Sequence, residues 1–214
     1  VRSYRQYCPV AKALDVIGDR WSLLIVRELL IRGPCRYTDV RKGVPGIATN
    51  LLAERLRELE QVGVIRREAA PPPVATTLFH LTPRGKDLRS AMLALGRWGA
   101  PLLAEAPDDD EVQTHWLSPM LELFLADHAP DHPPITIEVR TGDEPLLLET
   151  VDGAVHTRPG TSEHPDGVLS GPPRLAIGVL AGMVPLPDAR RSGLRYEGNP
   201  EALRRLQPRA LVGE

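Results

Sequence analysis

Apolar residues recur at helical spacing through most of the first hundred positions. Val10, Ala13, Leu14 and Ile17 predict a first helix from Cys8 to Ile17. Ser22 is a good cap for a second helix, Leu23 to Ile31, whose apolar residues surround Arg27 and Glu28; Gly33-Pro34 stops it. A short helix from Tyr37 to Val40 ends at Gly43-Val-Pro-Gly46. A longer one from Ala48 to Gln61 places Leu52, Leu56, Leu59 and the following Val62 on one face, with Gly63 at its end. The period then changes. Val64–Glu68 and Thr76–Leu81 predict the two strands of a hairpin around an irregular Ala69–Pro73. Thr82-Pro83 opens a last helix that runs to about Leu103 with Leu88, Met92, Leu95, Trp98 and Leu102 at i+3/i+4 spacing. Helix, helix, short helix, helix, two-stranded ribbon, helix is the order of a winged helix-turn-helix, a mainly α domain.

The pattern after residue 104 is different. Glu105-Ala-Pro-Asp-Asp-Asp-Glu-Val has four consecutive acids and no apolar period, which predicts a solvated linker over 105–113 between domains 1–104 and 114–214. His115 to Ala129 carries Trp116, Met120, Leu121, Leu123, Phe124 and Leu125 and predicts an apolar helix. Ile135, Ile137 and Val139 alternate with polar residues as in a half-buried strand. Leu146–Val151 turns at Asp152-Gly153 into Ala154–Arg158, and Asp166–Gly171 and Leu194–Gly198 predict two further short strands. Leu175 to Gly182 reads as strand or buried helix on periodicity alone. Asn199-Pro200 caps a closing helix. The second half is therefore α+β.

Both halves resemble known families. The run from Cys8-Pro-Val-Ala through Gly18-Asp-Arg-Trp-Ser to Arg27-Glu-Leu is similar to the opening of the HxlR family of bacterial transcriptional regulators, relatives of the MarR type. The likeness continues through Arg36-Tyr-Thr-Asp-Val, Leu52-Ala-Glu-Arg-Leu-Arg-Glu-Leu-Glu, Gly63-Val-Ile-Arg-Arg and Leu81-Thr-Pro-Arg-Gly. It implies a homodimer that controls nearby genes. Two positions depart from the family: the wing tip Pro71–Thr76 is uncharged, and Ala48 stands where a Ser cap is common. Leu169-Ser-Gly-Pro-Pro-Arg-Leu-Ala and Leu194-Arg-Tyr-Glu-Gly-Asn-Pro-Glu-Ala-Leu are similar to the end of sterol-carrier-protein-type domains. That resemblance makes Leu175–Gly182 helical and implies a curved sheet with helices around an apolar pocket for a hydrophobic small molecule. Trp116, Met120, Phe124, Leu147, Leu180 and Met183 are the apolar side chains available to line it, each equally readable as core.

Charge sharpens this division. Residues 1–104 hold 17 Lys and Arg against 9 Asp and Glu, whereas residues 105–214 hold 9 against 19. A basic half joined to an acidic half predicts that the first binds a polyanion, here double-stranded DNA. A recognition helix shows its N-terminal turns to base edges. Thr49, Asn50 and Ala53 occupy those turns; Asn50 can pair with adenine, and Arg57 can reach guanine or phosphate. Arg36, Tyr37 and Thr38 start the preceding helix, where phosphate is usually met, and Arg66 and Arg67 stand at the base of the wing. Arg55, flanked by Glu54 and Glu58, reads equally as a surface salt bridge.

Other chemistry finds little support. His128 and His132 have the spacing of metal ligands on a helix, but Pro130 breaks the helix they would need, so no metal is expected. No cofactor-binding glycine loop or nucleophile elbow occurs, and no enzymatic activity or cofactor is expected. Two cysteines, a polar start and no apolar run long enough for a membrane span predict a cytoplasmic protein. Cys8, ahead of Pro9 at a helix start, is the candidate redox thiol. The reading is thus a DNA-binding regulator, a homodimer tuned by a hydrophobic effector in the second domain. The alternatives are a regulator switched through Cys8 and a lipid carrier with a vestigial helix-turn-helix.

Overall fold

Helix α1 (Pro9–Ile17) begins behind an extended Cys8, where Pro9 occupies the first turn. It is followed by α2 (Ser22–Arg32), strand β1 (Cys35–Arg36), α3 (Tyr37–Gly43) and α4 (Thr49–Gln61). Then come β2 (Ile65–Ala69), β3 (Thr77–Leu81), the single turn α5 (Pro83–Lys86) and α6 (Leu88–Gly99). This computed structural model describes residues 3–71, 75–107, 109–142 and 144–208, so the wing-tip residues 72–74 and Asp108 of the acidic run lie outside the described residues. The chain divides into two compact units, Val1–Pro101 and Leu102–Glu214.

The first unit packs on Ile25, Val26, Leu29, Val40, Leu52, Leu56, Leu59, Ile65 and Phe79. The i, i+4, i+7 spacing of Leu52, Leu56 and Leu59 turns one side of α4 inward and leaves its polar side free. Three expectations change. Ser22 caps nothing: Trp21 is the N-cap residue, and Ser22 lies buried inside α2. The hairpin has a third strand, because Cys35 and Arg36 pair antiparallel with Phe79 and Leu78. The last helix is broken at Asp87. Its first turn is anchored to the wing, with Thr82 Oγ1 accepting from the Gly85 amide at 3.1 Å and donating to Gly63 O at 2.7 Å. Beyond Gly99 the helix tightens into a 3-10 segment, Ala100–Glu105.

The second unit opens with a 3-10 turn (Thr114–Leu117) and α7 (Ser118–Phe124). Strands β4 (Thr136–Arg140), β5 (Leu146–Val151), β6 (Ala154–Pro159) and β7 (Gly167–Ser170) follow, then helices α8 (Pro173–Leu180) and α9 (Leu186–Arg191). Strand β8 (Arg195–Gly198) and helix α10 (Pro200–Leu206) close it. The sheet is mixed, in order β6-β5-β4-β7-β8, with only β4 and β7 parallel. The β5–β6 hairpin turns through Asp152 and Gly153, at φ of 50° and 82°, the positive values a two-residue type I′ turn requires. One sheet face, carrying Ile137, Val139, Leu146, Leu148, Leu169 and Tyr196, packs against Leu121, Val179, Leu180 and Leu206.

Two expectations change here as well. The helix expected over His115–Ala129 ends at Phe124, because Ala126 bridges to Ala154 and Asp127 turns to Arg205. Ala106 and Pro107, expected in a free linker, are held through their carbonyls by the Arg174 guanidinium at the start of α8. Helix α9 had no counterpart in the sequence pattern. Among the described residues no helix is long and apolar enough to cross a membrane.

Candidate nucleic-acid interface

Helix α4 is presented by the elements beneath it. Glu28 of α2 is fully buried, with Arg27 Nε 3.0 Å from its carboxylate and Arg32 Nε 3.6 Å away. Arg27 also donates to Gly43 O, the last residue of α3, at 2.9 Å. Gly43 lies so close to the Glu28 carboxylate that a Cβ there would sit 1.9 Å from its oxygen. At the other end of α3 the Arg36 amide donates to Asp39 Oδ2 at 3.1 Å, the reciprocal half of a capping box. Tyr37 Oη donates to Thr49 O at 2.8 Å and so ties the start of α3 to the start of α4.

On this frame Thr49 and Asn50 are exposed on the first turn of α4, Ala53 is half-buried, and Arg57 is exposed with its Nε 3.2 Å from Ala53 O. Arg36 and Thr38 are exposed at the start of α3, Tyr37 is half-buried, and Arg66 and Arg67 are exposed on β2. Arg55 is an intramolecular pair: it binds Asp19, Glu54 and Glu58, and only 12% of its side chain is exposed. Arg66 pairs with Glu68, and Arg67 with Glu60.

The structure brings most of the expected residues to two clefts. A cleft of about 290 Å³ lies between the start of α3 and the wing, walled by Arg36, Thr38, Arg67, Thr76 and Thr77. A second of about 220 Å³ lies between α4 and the wing, with Arg57, Glu60 and Arg67 at its rim. Tyr37 and Phe79 line both. Guanidinium and hydroxyl groups in this arrangement suit an oxyanion backbone. Sequence reasoning missed Thr76, Thr77 and Glu60, since only the β2–β3 register and the packing of α4 bring them beside Arg67.

The remaining candidates separate. Leu180 is buried on the helix-covered face of the second sheet. Leu147 is also buried but points to the opposite face, in one row with Glu138 and Arg158, so the two cannot share a pocket wall. Trp116 and Met120 are half-buried, whereas Phe124 is 41% and Met183 72% exposed. Cys8 is a half-exposed free thiol and Cys35 a buried one. Among the described residues no cluster of His, Cys, Asp or Glu could hold a metal ion.

A helix with its polar side exposed, tied to the preceding helix start and packed beside a β-ribbon wing that carries arginines, defines a DNA-binding protein of the winged helix-turn-helix class. A family model described as HxlR-like helix-turn-helix matches residues 16–106. The HTH-type transcriptional regulator YdeP of Bacillus subtilis is 39% identical over 95 residues, 43% of this chain and 71% of that protein. YodB, a regulator from the same organism, is 33% identical over 92 residues, 42% of this chain and 81% of that protein. The solved reduced form of YodB is 29% identical and covers 48% of this chain and all of that one, with a TM-score of 0.41. The chain belongs to the HxlR-like helix-turn-helix family and is a transcriptional regulator of that type.

Proposed function

We propose that the protein binds operator DNA as a homodimer and that a hydrophobic small molecule in the second unit shifts its affinity. The observation that carries the DNA reading is the exposure of Thr49 and Asn50 on the first turn of α4, whose start is tied to α3 through Tyr37 and whose following turns wall the smaller cleft opposite Arg67. Asn50 reads a base edge, Arg57 a guanine edge or a phosphate, and Arg36, Tyr37, Thr38, Arg66 and Arg67 the backbone. The homodimer reading is supported by apolar side chains that the first unit leaves uncovered. No residue of α6 is buried although it carries Leu95 and Trp98, the latter 76% exposed, and Tyr7, Val10 and Leu14 are exposed on and before α1.

The effector reading rests on the sterol-carrier-like sequence of the second half. A five-stranded mixed sheet with helices on one face supports it, and the pocket's walls belong to that face, where Leu180 lies and α7 packs through Leu121. A ligand there acts on DNA only through a difference in affinity between two arrangements of the recognition helices. Native mass spectrometry of the purified protein is expected to show a retained apolar compound. A second reading, a switch through Cys8, is favoured by the exposure of that thiol and predicts that Cys8→Ser abolishes any oxidant response.

The DNA reading is tested by selecting duplexes from a random pool and measuring anisotropy across salt concentrations. Asn50→Ala is expected to relax sequence preference, costing about 1–3 kcal/mol on the selected site and little on mixed sequence. Arg36→Ala is expected to weaken all sequences and to shallow the salt slope by about one unit per protomer. Equal losses of specific and non-specific affinity in Asn50→Ala would refute the base-reading role.

A further inference from the structure

Arg67 is the charged member of the wall that the two clefts share with Tyr37 and Phe79, and in the free protein it is already engaged. Its Nε donates to Glu60 Oε1 at 2.9 Å and its Nη2 lies 2.6 Å from Oε2, a two-pronged grip. Both side chains keep solvent contact, 52% for Arg67 and 28% for Glu60. The guanidinium of Arg36, the other cation of the larger cleft, forms no ion pair among the described residues, Asp39 being engaged by its backbone amide. One of the two guanidinium groups facing that cleft is therefore open and the other is occupied.

Carboxylate and phosphate present the same pair of oxygens to a guanidinium fork. We infer that Glu60 is an internal stand-in for a DNA phosphate, competing for Arg67 and thereby limiting the affinity of the protein for DNA. The inference rests on the DNA reading above and adds its regulation. An exposed ion pair is weak, so a polyanion can displace it; the device attenuates binding without blocking it.

The test uses the full chain and a mixed-sequence duplex of about 30 base pairs, with wild type, Glu60→Gln, Arg67→Ala and the double variant measured by anisotropy across salt. At ~0.1 M salt Glu60→Gln is expected to bind about 3–10 times more tightly than wild type, and its salt slope to steepen by about one unit per protomer. Arg67→Ala alone is expected to lose less than about threefold, and the double variant to bind like Arg67→Ala, since without Arg67 there is nothing to compete for. A gain that persists in the Arg67→Ala background would overturn the inference, because Glu60 would then act only as a nearby negative charge. No gain, or a loss, in Glu60→Gln with an unchanged thermal midpoint would overturn it as well. Absence of any salt-dependent duplex binding by the wild type would remove both the inference and the DNA reading beneath it.

Discussion

Two cysteines in similar sequence settings, each beside a proline, end in different degrees of burial. Cys35 is 3% exposed on β1, its thiol directed at Gly33 O at 3.4 Å, and burial, with the nearby Asp39 and Glu28 charges adding to it, pushes the thiol up to about 11. At pH 8 only about one such thiol in a thousand is ionised, so it is a poor nucleophile. Cys8 stands half-exposed at the N-terminal end of α1. Brief iodoacetamide treatment of the native protein at pH 8, read by peptide mass spectrometry, is expected to modify Cys8 at least tenfold faster than Cys35, and unfolding is expected to remove the difference. Faster labelling of Cys35 would contradict its burial. Proline adjacency could not separate the two; β1 pairing with β3 does.

At the level of elements, the closing helix α10 is fastened by an ion pair reaching 78 residues back along the chain. Arg205 Nε donates to Asp127 Oδ1 at 2.9 Å, its Nη1 donates to Pro133 O at 3.0 Å, and the Ala129 amide donates to Asp127 Oδ1 at 2.9 Å. The Arg205 hydrogen bonds, which outweigh the cost of burial, hold the Asp127 carboxyl below its ordinary value. A carboxyl lowered on folding contributes stability above its unfolded pKa of roughly 3.9, and that contribution is lost as the pH falls through the folded value. Asp127→Asn is therefore expected to cost about 3 kcal/mol at pH 7, and the gap from wild type to narrow steadily below about pH 4. Urea denaturation at several pH values checks it; a gap that widens in acid would reverse the sign of the argument.

For the whole molecule, charge and architecture divide along the same line. Among the described residues the first unit has its own buried core around Ile25 and Leu52, and the second its own around Ile137 and Leu180. With 17 basic and 9 acidic side chains in residues 1–104, against 9 and 19 beyond, the acidic half repels the phosphates that the basic half attracts. The fragment 1–104 is expected to keep duplex affinity and to exceed the full chain at low salt. The advantage should fade as the Debye length falls to ~8 Å at physiological ionic strength. Sedimentation of the fragment, run beside the binding assay, identifies any loss that comes from a missing dimer contact. Weaker binding by a dimeric fragment at low salt would refute the repulsion.

Local signals carried a large part of this structure. The spacing of Leu52, Leu56 and Leu59 sets both the extent of α4 and the side it turns inward, which leaves Asn50 and Arg57 outward. Thr82 before Pro83 and Asn199 before Pro200 mark helix starts whose side-chain caps form as the residue types require, the latter accepting from the Glu201 amide at 2.9 Å. Asp152-Gly153 fixes its hairpin for the same reason: the conformational preference lies within a few residues. Features that depend on a partner remote in sequence were not legible. Helix α7 stops early because Ala126 meets Ala154 and Asp127 meets Arg205; Cys35–Arg36 is a strand only because Phe79 and Leu78 lie beside it. Leu146, Leu147 and Leu148 are equally apolar in sequence; the pleat alternates them, and only the register and the packing of the sheet decide that Leu147 is the one turned away from the helices. At the interface the spacing of α4 determined which residues could face DNA. The grip of Glu60 on Arg67 was decided by folding, because periodicity records which side of an element is apolar and says nothing of which charge on the neighbouring element it will meet.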